Sequence, residues 1–265
     1  MERAAYITKI ENILRIDTKF YQRIYFGQEF CERLLPSPED LKRAIDFARE
    51  NKLQFTLITP YVTNRGLREL RYLLDLIASE TPQNEVVFND YGVLRMLKRR
   101  YPELKPVMGR LLNKMKRDPR ILFIASMLPI DAIRYFRGLS IDNPIYRDFL
   151  IQNNITRIEL DNVFQGFDIN LSISGISASI YVPYAYVTTT RACLAINCDV
   201  YGMEDIVGIF PCKRECQKYT FYLKSSAMPT ILIRKGNTIF VRNEKVPSYI
   251  DKIGVDRIVY EIDLI

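Results

Sequence analysis

Four of the chain's five cysteines fall within 24 residues, as Cys193-x4-Cys198-x13-Cys212-x3-Cys216, and none of the 265 residues is a histidine. Thiolates are then the only soft metal ligands available, and imidazole is missing from any scheme of acid–base catalysis. The spacing lacks the paired Cys-x2-Cys knuckles usual in structural zinc sites. An iron–sulfur cluster, which accepts wider and mixed spacings, is therefore the first expectation, with a zinc ion as the alternative. Without histidine there is no Ser-His or Cys-His dyad and no His-Glu zinc motif, so hydrolysis by those routes is disfavoured. Glu159 and Asp161, two apart, would form an acidic pair only while their strand stays regular, and it is expected to end near there.

Composition narrows the setting. The net charge is +7 and the pI about 9.1, which permits attraction to anions. The densest basic run is Lys98-Arg99-Arg100, with Arg110, Lys114, Lys116, Arg117 and Arg120 beyond it. No aromatic-basic RNA-recognition motif accompanies it, so a solvated face is expected and nucleic acid is a partner not favoured. No apolar stretch reaches the roughly 20 residues of a membrane span, and residues 1–6 do not read as a secretory signal. A cytoplasmic location is expected, where a cysteine cluster points to a metal or redox site rather than to disulfides.

The elements that must position these residues follow a rhythm. Phe20–Gly27 reads as a strand. Ser37-Pro38-Glu39-Asp40 opens a helix, with serine as cap and proline at the first helical position. Gln54–Thr59, Glu85–Phe88, Lys105–Gly109 and Thr156–Leu160 are further strands, and helices are expected from Asn64 as cap, from Asp90 to Arg100, and from Asp142 through Gln152. Strands alternating with helices mean parallel β-α units with right-handed crossovers, closed most simply as a (β/α) barrel. After about residue 170 the pattern turns β-rich. Ile176–Thr190 is extended, a hairpin runs from Thr230–Arg234 to Thr238–Val241 about Lys235-Gly236-Asn237, Ser248–Val255 reads as helical, and Asp256–Ile262 is a last strand. One α/β domain over residues 1–265 is expected, parallel and barrel-like, its β-rich C-terminal segment carrying the cysteine cluster.

In such folds function gathers at the C-terminal ends of the strands. Those positions are Gly27 to Cys31, Tyr61 and Asn64, Asn89 and Asp90, Arg110, and Glu159 with Asp161 and Asn162. Cys31 thus joins the rim toward which the later cysteines could fold. Asn89-Asp90 reads equally as a helix cap, and Arg110 as an anion clamp.

The run Tyr25-Phe26-Gly27-Gln28-Glu29-Phe30-Cys31, the run Thr59-Pro60-Tyr61 before Asn64, the segment Phe88-Asn89-Asp90-Tyr91-Gly92, and Gly109-Arg110 with Asn113 resemble, in that order, the U-thirty-two (collagenase-like) peptidase family. The resemblance is greatest to its UbiV-type branch and spans about residues 20–225. It implies a 4Fe-4S cluster on Cys31, Cys193, Cys212 and Cys216, with Cys198 standing as the alternative to Cys193. It also implies oxygen-independent hydroxylation of a small aromatic substrate, as in ubiquinone-type biosynthesis, beside a homologous partner subunit. Tyr61, Asn64, Asn89, Asp90, Arg110 and Glu159 would line the substrate pocket. Two departures count: Cys198 is a fifth thiol, and the cysteine-glycine-rich signature of the family's longer branch is absent. The alternatives are a zinc-stapled binding or assembly module, and a peptidase or tRNA-modification component of the same family.

Overall fold

The computed structural model of the chain describes residues 1–171, 175–203 and 211–265. Eight parallel strands close into a barrel: β1 (Glu2–Ile7), β2 (Arg23–Gly27), β3 (Gln54–Ile58), β4 (Glu85–Phe88), β5 (Lys105–Met108), β6 (Arg157–Asp161), β7 (Ser177–Val182) and β12 (Val255–Glu261). Closure is made by β12, which pairs with β1 on one side and β7 on the other. Helices α1 (Pro38–Glu50), α2 (Asn64–Glu80), α3 (Tyr91–Arg100) and α6 (Pro144–Gln152) cover the outside, with the short α4 (Ile121–Ile124) and α5 (Ile130–Arg137) between β5 and β6. Their starts follow local chemistry: Ser37 Oγ accepts from Asp40 N–H, and Asn143 Oδ1 accepts from Ile145 N–H ahead of Pro144. The main apolar core lies between the barrel wall and these helices. Among the described residues no helix is long and apolar enough to cross a membrane.

The structure departs from the sequence-based reading in four places. Strand β1 was not expected, because Glu-Arg-Ala-Ala-Tyr-Ile has little intrinsic β preference and owes its extension to neighbours on both sides. Phe20 lies in a turn before β2, which starts at Arg23. The cap of α2 is Thr63, whose Oγ1 accepts from Gly66 N–H, and not Asn64. Residues 248–255 hold only a 3-10 turn, Ile250–Ile253, before β12 begins at Val255.

Alternation along the strands turns charge into the barrel. Glu2, Arg23, Glu85, Arg157 and Arg257 form an ion network at the bottom, where Arg257 donates to both Glu2 and Glu85. Burial alone would raise the Glu85 carboxyl, but the Arg257 hydrogen bonds and the Arg23 charge outweigh it and hold Glu85 at about 2. One layer up, fully buried Glu159 accepts from Tyr25 and Ser179 through Oε1, while its Oε2 has no hydrogen-bond partner among the described residues. Burial pushes its carboxyl up to about 8 against the lowering charges of Arg257 and Arg157. The fold therefore holds a proton that an unfolded glutamate, titrating near 4.5, gives up. The resulting stabilisation is complete below the unfolded value and lost as pH rises through about 8. Glu159→Gln, which mimics the neutral form, is expected to raise stability at pH 8 by roughly 2 kcal/mol. It should also flatten the decline between mildly acidic and mildly basic pH; urea melts across that range check it, and an unchanged slope would refute it.

After β7 the chain enters a second, antiparallel sheet ordered β8 (Tyr184–Thr189), β11 (Thr238–Arg242), β10 (Leu232–Lys235), β9 (Phe221–Leu223). The hairpin between β10 and β11 turns on two residues, Gly236 and Asn237, with Gly236 at φ +60° as its tight turn requires. This sheet packs on the C-terminal mouth of the barrel. Phe30 meets Tyr186 and Phe240 edge-on, and these join Tyr6, Tyr25 and Tyr181 in one inner apolar cluster.

Candidate functional site

The mouth of the barrel, where an open pocket was expected, is filled by an ion cluster centred on Arg110. All five guanidinium N–H groups are used: Nε and Nη2 on Glu29 at 3.1 and 2.6 Å, Nη1 on Asp161 at 3.0 Å and on the Tyr184 carbonyl at 3.1 Å, and Nη2 on Glu261 at 3.0 Å. The plane lies 3.8 Å over the Tyr181 ring. Arg117 adds a second cation on Asp161 at 2.7 Å. The backbone of β8 is drawn in, since Tyr184 N–H donates to Glu261 and Tyr186 N–H to Asp161. Two cations face three carboxylates, so one proton neutralises the set. Burial raises both Glu29 and Glu261, the latter to about 8, against the lowering charge of Arg110. The network locks the small sheet onto the barrel.

The open space lies to one side. A cavity of about 490 Å³ is bounded by the exits of β1 and β2, by residues 263–265, and by the segment joining β8 to β9. Cys31, Cys193, Cys212 and Cys216 all line it; Cys198 does not. Burial raises the Cys31, Cys193 and Cys216 thiols, Cys216 to about 12, and the neighbouring thiols add to the rise. Burial raises Cys198 as well, but there the charges that add to it are Asp199 and Glu215. Metal binding at such thiols is coupled to proton release, because each must first give up its proton to become a thiolate ligand. Among the described residues no three Cys, Asp or Glu side chains meet closely enough to hold a single metal ion as they stand. A tetrahedral zinc ion would need its sulfurs about 3.8 Å apart.

The remaining rim residues are distributed differently. Tyr61 belongs to a small adjoining cavity that shares Phe30, Cys31 and Arg191 with the larger one. Asn64 is exposed on the first turn of α2. Asn89 is buried and structural: its Nδ2 donates to the Thr59 carbonyl and its Oδ1 accepts from Leu111 N–H. A side chain on Gly109 would collide with it at 2.1 Å. Asp90 caps α3 by accepting from Gly92 N–H, and also accepts from Val62 N–H. Glu159 and Asp161 both point inward from β6, but Glu159 meets Tyr25 and Ser179 while Asp161 meets arginines, so they form no dyad. Of the rim residues singled out, then, Cys31 lines the thiol cavity, Tyr61 borders it, and Asn89, Asp90, Arg110 and Glu159 hold the barrel together.

Three residues to which sequence reasoning gave no part in the site surround the thiols. Gly236 leaves room: a Cβ there would stand 3.0 Å from Cys216 Cβ, 3.5 Å from its Sγ and 4.0 Å from Cys193 Sγ. Glu215 is buried and bridges the two cysteine loops, its carboxylate accepting from Asn197 N–H and Lys213 N–H. Asn237 Nδ2 lies 2.7 Å from the carbonyls of Phe30 and Thr190 and 2.8 Å from Tyr61 Oη. It fastens the residue before Cys31, the rim after β3 and the start of the Cys193 loop to one hairpin. The glycine-asparagine turn was visible, but its second duty depends on contacts 207 residues apart. Asn237→Ala is expected to cost about 1–3 kcal/mol and to speed alkylation of Cys31 and Cys193 severalfold in metal-free protein. Mass-resolved maleimide kinetics checks this, and rates equal to wild type would refute it.

No protein-family model and no curated protein matches the chain. Among solved structures it is similar to one described as that of the U32 peptidase Mk0906, at 12% sequence identity and a TM-score of 0.48, with 99% of this chain and 93% of that chain covered.

Proposed function

We propose that this chain is an iron–sulfur protein in which Cys31, Cys193, Cys212 and Cys216 hold a 4Fe-4S cluster. On this reading it takes part, with a partner subunit, in the oxygen-independent hydroxylation of a small aromatic substrate, as its resemblance to the UbiV-type branch implies. The observation that carries the reading is the shared cavity: a thiol from the end of β2 stands with three from the segment after β8, and the fifth cysteine stays apart. The donor set fits. Four thiols, no imidazole and a missing side chain at Gly236 beside Cys216 and Cys193 suit a group ligated by sulfur alone.

When bound, such a cluster supplies one-electron chemistry at a potential set by ligand charge, burial and hydrogen bonding. The chain's own part is to hold and shield. Phe30, Tyr222 and Phe240 offer aromatic walls to a planar ring, and Thr8 and Gln28 offer polar groups in the same cavity. The threonine hydroxyls there have no imidazole to activate them, so the reading favours redox chemistry over peptide hydrolysis. Anaerobic purification tests it: about four iron and four acid-labile sulfide per chain are expected, with broad visible absorption. Stoichiometric zinc without sulfide would replace the cluster by a structural staple and remove the redox role.

A further inference from the structure

The basic residues that stood together in the sequence separate in the fold. Arg110 and Arg117 are inside the barrel mouth, and Arg120 is paired with Asp118. Lys98, Arg99 and Arg100 remain, in the last turn of α3, where cations complement the helix dipole. The dipole does not explain Arg68 and Arg71 on α2 or Arg95 in mid-α3, yet these join Arg99 and Arg100 around one surface cleft of about 300 Å³. Leu67, Gly92 and Met96 complete its wall, and among the described residues no carboxylate lines it. The nearest acids on α2 are engaged elsewhere, Glu69 by Arg65 and Asp75 by the Tyr101 hydroxyl. Among the described residues none of the five arginines has a salt bridge, although like charges one turn apart repel.

Arg95 and Arg99 also line a second groove, between α3 and α6, of about 1000 Å³. Its floor is apolar: Leu94, Ile145, Phe149 and Tyr146, with the last two rings stacked at 6.1 Å and Tyr91 edge-on to Phe149. Ile145 is 80% exposed, an unusual state for a large aliphatic side chain. Lys98, the other cation of this groove, donates to Asn153 and the Gln152 carbonyl. Positive charge thus lies on the α2 and α3 side, and among the described residues the α6 side brings only the uncharged Asn143, Ile145, Tyr146, Phe149 and Asn153 to the groove. A nucleic-acid strand needs cations spaced along its path. A phosphate head in the guanidinium cleft with a hydrocarbon tail in the groove meets both halves at once.

We infer that the joined clefts of α2, α3 and α6 bind a phosphate-headed amphiphile, the phosphate on Arg68, Arg71, Arg95, Arg99 and Arg100 and the tail against Ile145, Tyr146 and Phe149. The site is separate from the thiol cavity, and its variants leave iron content unchanged. Calorimetry with dodecyl phosphate, kept below its micelle concentration, tests it on the full chain, with inorganic pyrophosphate as the head alone. Dodecyl phosphate is expected to bind at least tenfold more tightly than pyrophosphate. The exposed double variant Arg95→Glu/Arg99→Glu should weaken it tenfold or more, and Ile145→Asp severalfold, each with the wild-type melting curve. Flotation with phosphatidylglycerol vesicles but not phosphatidylcholine would identify a membrane lipid as the source; binding of dodecyl phosphate without flotation would identify a soluble phosphoester. No binding in either arm, binding unchanged by the charge reversal, or tighter binding of single-stranded oligouridine through the same arginines would overturn the inference.

Discussion

Arg110→Ala is expected to lower stability by about 5 kcal/mol or more, and so to abolish soluble expression of a domain whose whole margin is of the order of 5–15 kcal/mol. The arginine is fully buried, and every one of its N–H groups has an acceptor. Its removal strands Glu29, Glu261 and part of Asp161 in the barrel mouth. Glu29 and Glu261 can respond by taking up protons, since burial already raises both, which limits the loss without cancelling it. It also frees the Tyr184 carbonyl, so the small sheet loosens on the barrel. Arg110→Lys keeps the charge but not the fork, and is expected to fold with roughly 2–3 kcal/mol less stability. Solubility and urea melts of the pair decide the matter. An alanine variant melting within a few degrees of wild type would show that the cluster adds nothing net.

Serine at Cys31, Cys193, Cys212 or Cys216 is expected to reduce bound iron to a small fraction of wild type after anaerobic purification, whereas Cys198→Ser keeps it. On the proposed reading each of the four would contribute a thiolate to a site closed by chain segments 162 residues apart from Cys31 to Cys193, and a serine hydroxyl is a poor ligand for iron in such a cluster. Cys198 is half-buried beside Glu215 and outside the cavity. Iron retained in Cys31→Ser together with loss in Cys198→Ser would move the site into the β8–β9 segment alone and detach it from the barrel.

Much of the barrel could be read in advance because local chemistry and period agree there. Ser37-Pro38 and Asn143-Pro144 start helices wherever the chain puts them, and the Glu85–Phe88 and Arg157–Asp161 runs pair as strands in register with their neighbours. Asp90 illustrates the ambiguity at a rim. A helix cap and a site acid have the same position at the end of a βα loop, and only the bonds to Gly92 N–H and Val62 N–H identify the cap. Arg110 carries the same lesson for charge. A lone arginine after a glycine looks like a ligand clamp until Glu29 and Glu261, 81 and 151 residues away, are seen to claim it.

By itself the amino-acid order determined the alternation of strands and helices, the absence of imidazole chemistry and the presence of five thiols, because these depend on residue type and short spacing. Tertiary structure alone decided that β1 closes the barrel with β12, that the barrel mouth is plugged by ions rather than open, and that Cys198 lies outside the cavity the other four thiols line. The reason is physical: burial and partner choice are set by contacts between segments hundreds of residues apart, and nothing in the local sequence of Arg110, Asn237 or Cys31 encodes which distant group will arrive.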